Sequence, residues 1–229
     1  MRLPIFSVIA SGTIVSAWLF SLPVLAAPAG ATVNFTPPVA DAKTIQVTMT
    51  EWRIKGHQVN PRQPPPLQQA STTTYLIERP AKFRVEMKNT TFYGPVPLVI
   101  DYNSDGTTMV TYQRGKDGAW LTSEPAVRPP GVGWPNLVSL VMDSMQEKVS
   151  AIPAVRDGKQ VLLVVSKSPN GRDESWYDPK THLLMRMTGL MMWKGKATEI
   201  NRIEFTGWVL DAPLPPATFV VPPSWTNHK

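Results

Sequence analysis

The chain has 229 residues, of which 42% are apolar and 9% aromatic, so it is long and apolar enough to bury one sizeable core. Charged residues make up only 17%, which excludes a charged helical rod, and the 24 prolines disfavour long helices. The lack of cysteine excludes disulfide frameworks, thiolate metal sites and cysteine nucleophiles, and argues against a lipid-anchoring lipobox. A formal net charge of +6 favours only weak attraction to anionic surfaces.

Residues 1–31 are predicted to be a cleaved secretory signal peptide. Arg2 supplies the positive start, and residues 5–25 form an apolar segment followed by small residues. The expected cleavage positions follow Ala26, Ala29 or Ala31. An uncleaved membrane anchor is the alternative, because the segment is close to the roughly 20 residues of a membrane-spanning helix. Pro23 and the small residues favour cleavage, which predicts a protein outside the cytoplasm, and the lack of cysteine predicts that it is not lipid-anchored.

Strand patterns dominate the first half of the remaining chain, after a flexible lead-in expected for residues 31–42. The first strand is predicted over residues 44–55, with a bulge or turn where the apolar alternation changes phase between Met49 and Trp52. Residues 61–69 are rich in proline and are interpreted as an exposed connection. Further strands are predicted over residues 72–78, 82–88, 98–102, 107–113 and 118–122. A tight turn at residues 103–106 predicts a hairpin, which is typical of an antiparallel meander.

One helix is predicted to interrupt the strands, over residues 136–150, with Asn136 as its N-cap. Strand patterns then return, and residues 161–165 are apolar on both faces, which indicates an internal strand. The later strands are predicted over residues 160–167, 172–177, 183–188, 198–208 and 218–221. About ten strands and one or two helices indicate a single domain over residues 32–229.

Four local patterns resemble the LolA/LolB/RseB superfamily of periplasmic proteins, in particular its LolA-like, lipoprotein-sorting branch. They are an Arg-Pro step before a Phe-containing strand at residues 78–85, and an Asp-Gly hairpin before an aromatic strand at residues 105–112. The others are Trp-Tyr-Asp-Pro-Lys-Thr at residues 176–181 and a segment ending in paired prolines at residues 214–223. The sequence differs from the family where Val85 replaces a tryptophan and where residues 44–55 read as a strand instead of an N-terminal helix.

The resemblance implies an incomplete antiparallel β-barrel, a half-barrel, that covers one or two helices and encloses a hydrophobic cavity. It also implies that Arg79 matches the family arginine that bonds to the helical lid and holds the cavity closed. An arginine before proline at a strand end is also commonly a surface ion-pair partner, here of Glu78 or Glu86. Lipids or acylated lipoproteins are the partners that the resemblance implies.

An apolar ligand needs a concave, mostly apolar lining with few polar contacts. The side chains able to supply it are Phe83, Val85, Met87, Leu98, Ile100, Met109, Leu137, Val141 and Met145. The alternative is that these side chains pack on one another as an ordinary core, as most inward strand residues do. The sequence leaves both interpretations open.

Four methionines near Trp193 suggest either soft-metal ligands or packing. Strand alternation places Met185 and Met187 on one face, which favours core packing over copper binding. Met191 and Met192 precede Lys194 and Lys196, which predicts an exposed hairpin tip suited to a partner or to peripheral membrane contact. The sequence predicts no metal site and no cofactor.

Catalytic patterns are missing from the sequence. The three histidines, His57, His182 and His228, stand in no metal-binding or nucleophile–base pattern, and there is no Gly-x-Ser-x-Gly or phosphate-binding glycine loop. The basic residues are spread along the chain, which disfavours nucleic-acid binding. The leading hypothesis is a non-catalytic periplasmic protein that binds a hydrophobic ligand. The alternative is an envelope-sensing or protein-interaction module of the RseB type without a bound lipid.

Overall fold

All strands of the described chain belong to one antiparallel sheet. The computed structural model describes residues 31–54, 66–89, 99–115, 118–125, 148–168, 171–193 and 195–225. The strands are β1 (Val33–Phe35), β2 (Thr44–Ile54), β3 (Leu67–Glu78), β4 (Lys82–Asn89), β5 (Val99–Asp105), β6 (Thr108–Gly115), β7 (Gly118–Pro125), β8 (Val149–Arg156), β9 (Lys159–Ser168), β10 (Gly171–Tyr177), β11 (Leu184–Trp193) and β12 (Lys196–Leu210). Two short 3₁₀ helices are η1 (Pro38–Ala40) and η2 (Pro216–Phe219).

The strand order is β1-β8-β9-β10-β11-β12-β2-β3-β4-β5-β6-β7, so the sheet is open, with β1 and β7 as its outer strands. It consists of two meanders, β2–β7 and β8–β12, that meet where β12 pairs with β2. The prediction of a mainly β, antiparallel fold is therefore confirmed. Among the described residues, no helix has the length and apolarity needed to cross a membrane.

The main core lies on one face of this sheet, which we call the core face. Strand alternation places every second residue of β2, β3 and β4 there, and directly paired residues share a face. The buried members contributed by the central strands are Ile45, Val47, Met49, Tyr75, Ile77, Phe83, Val85 and Phe205. The opposite face carries a smaller buried cluster of Val161, Leu163 and Trp176. Both faces of the sheet are therefore packed in part.

The predicted first strand is confirmed, including its irregularity. β2 runs from Thr44 to Ile54, and its pairing with β3 shifts between Glu51 and Trp52. The predicted internal strand is also confirmed, because β9 pairs with β8 and β10. Its Val165 is nevertheless 40% exposed, so burial on both faces does not extend along the whole strand.

The prediction of a flexible lead-in over residues 31–42 is wrong. This segment contains β1, which pairs with β8, and η1, whose Val39 is fully buried. Phe35 is also buried in the main core, where its ring stacks on His182 at 4.4 Å between centroids. A strand of three residues carries too short an alternation to be recognised, and its pairing partner lies far along the chain.

The helix predicted over residues 136–150 lies mostly outside the described residues. Its last three positions are wrong, because Lys148 lies in no helix, while Val149 and Ser150 open β8 and pair with Phe35 and Asn34. Residues 61–65 of the predicted proline-rich connection also lie outside the described residues, whereas its end, from Leu67, belongs to β3. Pairing across the sheet decides the structure of the described end of each segment.

The final strand predicted over residues 218–221 is wrong. The chain forms η2 there, because Pro215 and Pro216 fix φ values that start a turn. Asn103 Nδ2 then donates a hydrogen bond of 2.7 Å to the Phe219 carbonyl, which fastens the segment to β5. The sheet accordingly has twelve strands in the described residues instead of the ten predicted, and none of them follows β12.

The hairpin predicted at residues 103–106 exists, but its turn is narrower than predicted. Asn103 and Ser104 are buried within β5, which continues to Asp105. The Asp105 carboxylate accepts hydrogen bonds from the backbone N–H groups of Thr107 and Thr108, which lower its pKa. The turn is therefore made by the residues after Asp105.

Met185 and Met187 do not share a face, contrary to the prediction. Tyr177 pairs with Leu184 while Trp176 pairs with Arg186, so Met185 has no direct partner in β10. This bulge turns Met185 toward the cluster on the opposite face, whereas Met187 packs on the main core. Both side chains are packing residues, as the sequence favoured.

Candidate ligand-binding face

The five predicted lining residues that the structure describes all lie on the core face. Phe83, Val85 and Met109 are buried in the main core. Met87 and Ile100 pair directly with each other and are only partly buried. The other predicted lining residues, Leu98, Leu137, Val141 and Met145, lie outside the described residues.

The alternation of β4 explains this arrangement. Its apolar residues point to the core face, while Arg84 and Glu86 point to the opposite face and form an ion pair of 2.8 Å. Tyr102 pairs with Val85 and extends the apolar row onto β5. The predicted lining is therefore one row of neighbouring side chains in this part of the sheet.

A further member of this row is Trp120, which sequence reasoning did not select. Ile100 pairs with Gln113, and Gln113 pairs with Trp120, so the tryptophan lies on the core face at the outer strand β7. Its side chain is 47% exposed. The core face thus changes from fully buried on β3 to partly open on β7, and only the strand register identifies this position.

Polar side chains also occur on the core face, along β2 and β3. Ser71 Oγ donates a hydrogen bond of 3.3 Å to Glu51, and Tyr75 Oη contacts Met49 Sδ at 3.9 Å. Burial, and to a lesser degree the charge of Glu51, raises the pKa of the Tyr75 hydroxyl, which therefore stays neutral. Thr73 Oγ1 is fully buried and has no hydrogen-bond partner in the described structure.

Thr73→Val is expected to stabilise the protein by about 1 kcal/mol, because a buried hydroxyl without a partner costs free energy. The substitution keeps the branched shape and replaces the hydroxyl with a methyl group. Chemical denaturation of the ligand-free protein measures the change, with Thr74→Val, a half-buried position on the opposite face, as the control. A clear loss of stability in Thr73→Val would show that the hydroxyl has a partner.

Arg79 connects the end of β3 to the segment between β1 and β2. Its Nε donates a hydrogen bond of 2.8 Å to the Ala42 carbonyl, and its Nη2 donates one of 2.9 Å to the Val39 carbonyl. Both acceptors belong to residues buried in the main core. Glu78 was expected as an ion-pair partner of Arg79. It forms its ion pair with Lys82 instead, at 2.8 Å. Arg79 therefore holds η1 against the core.

The opposite face contains a dense ionic cluster around Glu174. This buried carboxylate contacts Arg156 at 3.1 Å, Arg172 at 2.9 Å and the indole nitrogen of Trp176 at 3.2 Å. Arg186 lies over the Trp176 ring, with its guanidinium carbon 4.2 Å from the centroid. Glu174 Oε2 accepts the hydrogen bonds from Arg156 and Trp176, whereas Oε1 has only the ion-pair contact with Arg172 and accepts no hydrogen bond in the described structure.

Burial alone would raise the pKa of Glu174, but its neighbours outweigh this effect. Hydrogen bonds from Arg156 and Trp176 and the charges of Arg156 and Arg172 bring the pKa below its ordinary value. Glu174 is therefore a fixed anion at neutral pH and is unsuited to proton transfer there. Among the described residues, no group of three metal-ligating side chains is placed to hold an ion.

The described C-terminal segment, residues 216–225, lies on the same opposite face over β4, β5 and β6. Trp225 stacks on Tyr112 with their ring centroids 5.3 Å apart, and the Arg84 guanidinium lies 5.8 Å from the Trp225 ring. Phe219 is fastened by Asn103, as described above. This segment covers the opposite face of the strands whose core face carries the candidate lining.

Comparison of the sequence with known protein families and with characterised proteins finds no match. The structure itself defines an open antiparallel sheet with one extensive apolar face and an arginine that fastens its entering segment.

Proposed function

We propose that this protein is a non-catalytic periplasmic binding protein that holds a lipid or acyl chain against the core face, within a LolA-like half-barrel. The observation that supports it is the row formed by Val85, Met87, Ile100 and Trp120, which runs from a buried interior to an exposed margin on one face. A ligand entering at the margin meets Trp120 first, and Gln113 then separates this side chain from Ile100 and the apolar interior. Methionine adapts its shape to variable chains, which suits such a row.

The free energy available to this interaction is sufficient. Each methylene removed from water contributes about 0.8 kcal/mol, so an acyl chain of about sixteen carbons gains roughly 10 kcal/mol before the cost of association. No catalytic group is required for this task. In this proposal Arg79 is the latch that keeps η1 in place.

Native mass spectrometry of protein purified from its own cell envelope, followed by organic extraction, tests the proposal. Added mass of several hundred daltons that extracts as lipid would support a carrier and identify its cargo. A ligand-free mass, together with no uptake of fluorescent fatty-acid probes, would exclude this function.

Ile100→Glu is expected to weaken binding of a fluorescent fatty acid at least tenfold, because a charge in an apolar lining is poorly solvated. Fluorescence titration measures the dissociation constant. Val209→Glu is the matched control, since Val209 is 42% exposed and lies on the opposite face, paired with Gln46. Thermal unfolding of both variants verifies the fold, and equal affinity in both would place the ligand elsewhere.

A second candidate function is a protein-interaction module of the RseB type. It is favoured by exposed apolar side chains at the β8–β9 hairpin, where Ile152, Val155 and Val165 are 44%, 47% and 40% exposed. Val155 also lines a cavity of about 200 Å³, together with Pro153, Ala154, Gln160 and Pro179 among others. Ile152→Asp separates the two functions, because it would impair a protein complex and leave lipid uptake unchanged.

A further inference from the structure

The β11–β12 hairpin extends beyond its neighbours at one end of the sheet. Gly171, the first residue of β10, pairs with Met191, so Met192 and the residues after it have no described strand beside them on that side. On the other side, β2 pairs with β12 only as far as Asn201. The pairs Met192 with Ala197 and Trp193 with Lys196 therefore form a projecting tip. Gly195, with φ of +78°, makes its turn.

The tip is apolar on both of its surfaces. Consecutive strand residues point in opposite directions, so Met191 and Met192 project from different faces of the hairpin. Met191 is 36% exposed and Met192 is 58% exposed. A flat protein partner would cover only one of these surfaces. A fluid apolar medium surrounds a projecting tip and covers both.

Basic residues occur in this tip and on the hairpin beside it. The sequence places Lys194 and Lys196 in its turn and has no acidic residue between Arg186 and Glu199. The neighbouring β9–β10 hairpin contributes the pair Lys167 and Arg172, both exposed, at the same end of the sheet. Arg172 also contacts Glu174, whereas no ion pair of Lys167 or Lys196 occurs among the described residues. The charge at this end is complementary to an anionic surface.

We propose that the β11–β12 tip inserts into the interface of an anionic lipid bilayer. Met191 and Met192 enter the boundary between headgroups and acyl chains, while Lys196 extends its aliphatic stem and keeps its ammonium group at the phosphates. The core face and its candidate lining take no part in this contact. The inference is therefore independent of the proposed lipid-binding function.

Co-sedimentation with vesicles of phosphatidylglycerol and phosphatidylcholine in equal parts tests the proposal. The protein is used after its N-terminus has been verified by mass spectrometry, so that no apolar leader contributes to binding. We expect sedimentation with these vesicles, weakening with added salt, and little with phosphatidylcholine alone. The double variant Met191→Asp and Met192→Asp is expected to bind at least tenfold more weakly, because the carboxylates oppose insertion.

Val220→Asp is the matched control, because Val220 is 61% exposed and lies far along the chain in the C-terminal segment. It should bind as the wild-type protein does, and Lys196→Glu should lose part of the affinity. Equal vesicle binding by the double variant and wild type would overturn the proposal. So would the absence of vesicle binding, or a wild-type dimer that the double variant dissociates, since the tip would then serve contact between copies.

Discussion

Arg79→Leu is expected to lower the free energy of unfolding by about 3 kcal/mol. The guanidinium makes two charge-assisted hydrogen bonds to the carbonyls of Val39 and Ala42. Leucine leaves both carbonyls without this partner and loosens η1 from the core. Urea denaturation measures the loss, and hydrogen exchange of residues 33–42 locates it.

Arg79→Lys is the control for charge alone, because an ammonium group does not reach both carbonyls with the geometry of a guanidinium. We expect it to recover less than half of the loss. A leucine variant as stable as wild type would contradict the fastening role. Uptake and release of a fatty-acid probe are measured in the same variant, where tighter binding or slower release is expected. Unchanged uptake and release would exclude Arg79 as a latch.

Glu174→Ala is expected to cost about 3 kcal/mol, because it leaves Arg156, Arg172 and the Trp176 indole without their shared acceptor. The Glu174 side chain is only 3% exposed, so water replaces it poorly. Thermal or urea unfolding measures the cost. Glu78→Ala is the matched control, since its ion pair with Lys82 is half-exposed and contributes about 1 kcal/mol or less.

The pH dependence gives a second measurement of the same carboxylate. Its folded pKa lies below the ordinary value of 4.5, so its contribution to stability is present above that pH. The contribution is lost as the pH falls through the folded pKa. The stability difference between wild type and Glu174→Ala should therefore be constant near neutral pH and shrink below about pH 4. A difference that stays constant into strong acid would show that Glu174 is not an anion in the folded protein.

The strands were predicted correctly where apolar and polar residues alternate over a long continuous stretch. β2 and β4 carry at least three alternating apolar side chains each, and both were predicted with the correct core face. β8 was missed because its Val, Ala and Ile continue a helical spacing and Pro153 disfavours a strand. The turn at Asp157 and Gly158, both with positive φ, is the signal that identifies its hairpin with β9.

The candidate site was less accessible from sequence, because it depends on register across several strands. Trp120 can be assigned to the core face only by following the strand pairing from Ile100 to Gln113 and from there to Trp120. A shift of one residue in this register would place Trp120 on the other face. Met185 illustrates the same limit, since a single bulge reverses its direction. Arg79 was selected by resemblance, but its carbonyl partners belong to a segment that the sequence presented as a loose lead-in.

The pairing of β12 with β2 has a consequence for the order in which the sheet assembles during translation. The last of the described strands, β12, occupies the middle of the sheet, where it joins the two meanders. Its partners lie at opposite ends of the chain, as in the pair of Phe205 with Met49. Such distant contacts form slowly, and direct pairing between the two meanders cannot form before β12 has been made. A premature stop after β11 would therefore divide the sheet at its centre and leave two exposed strand edges.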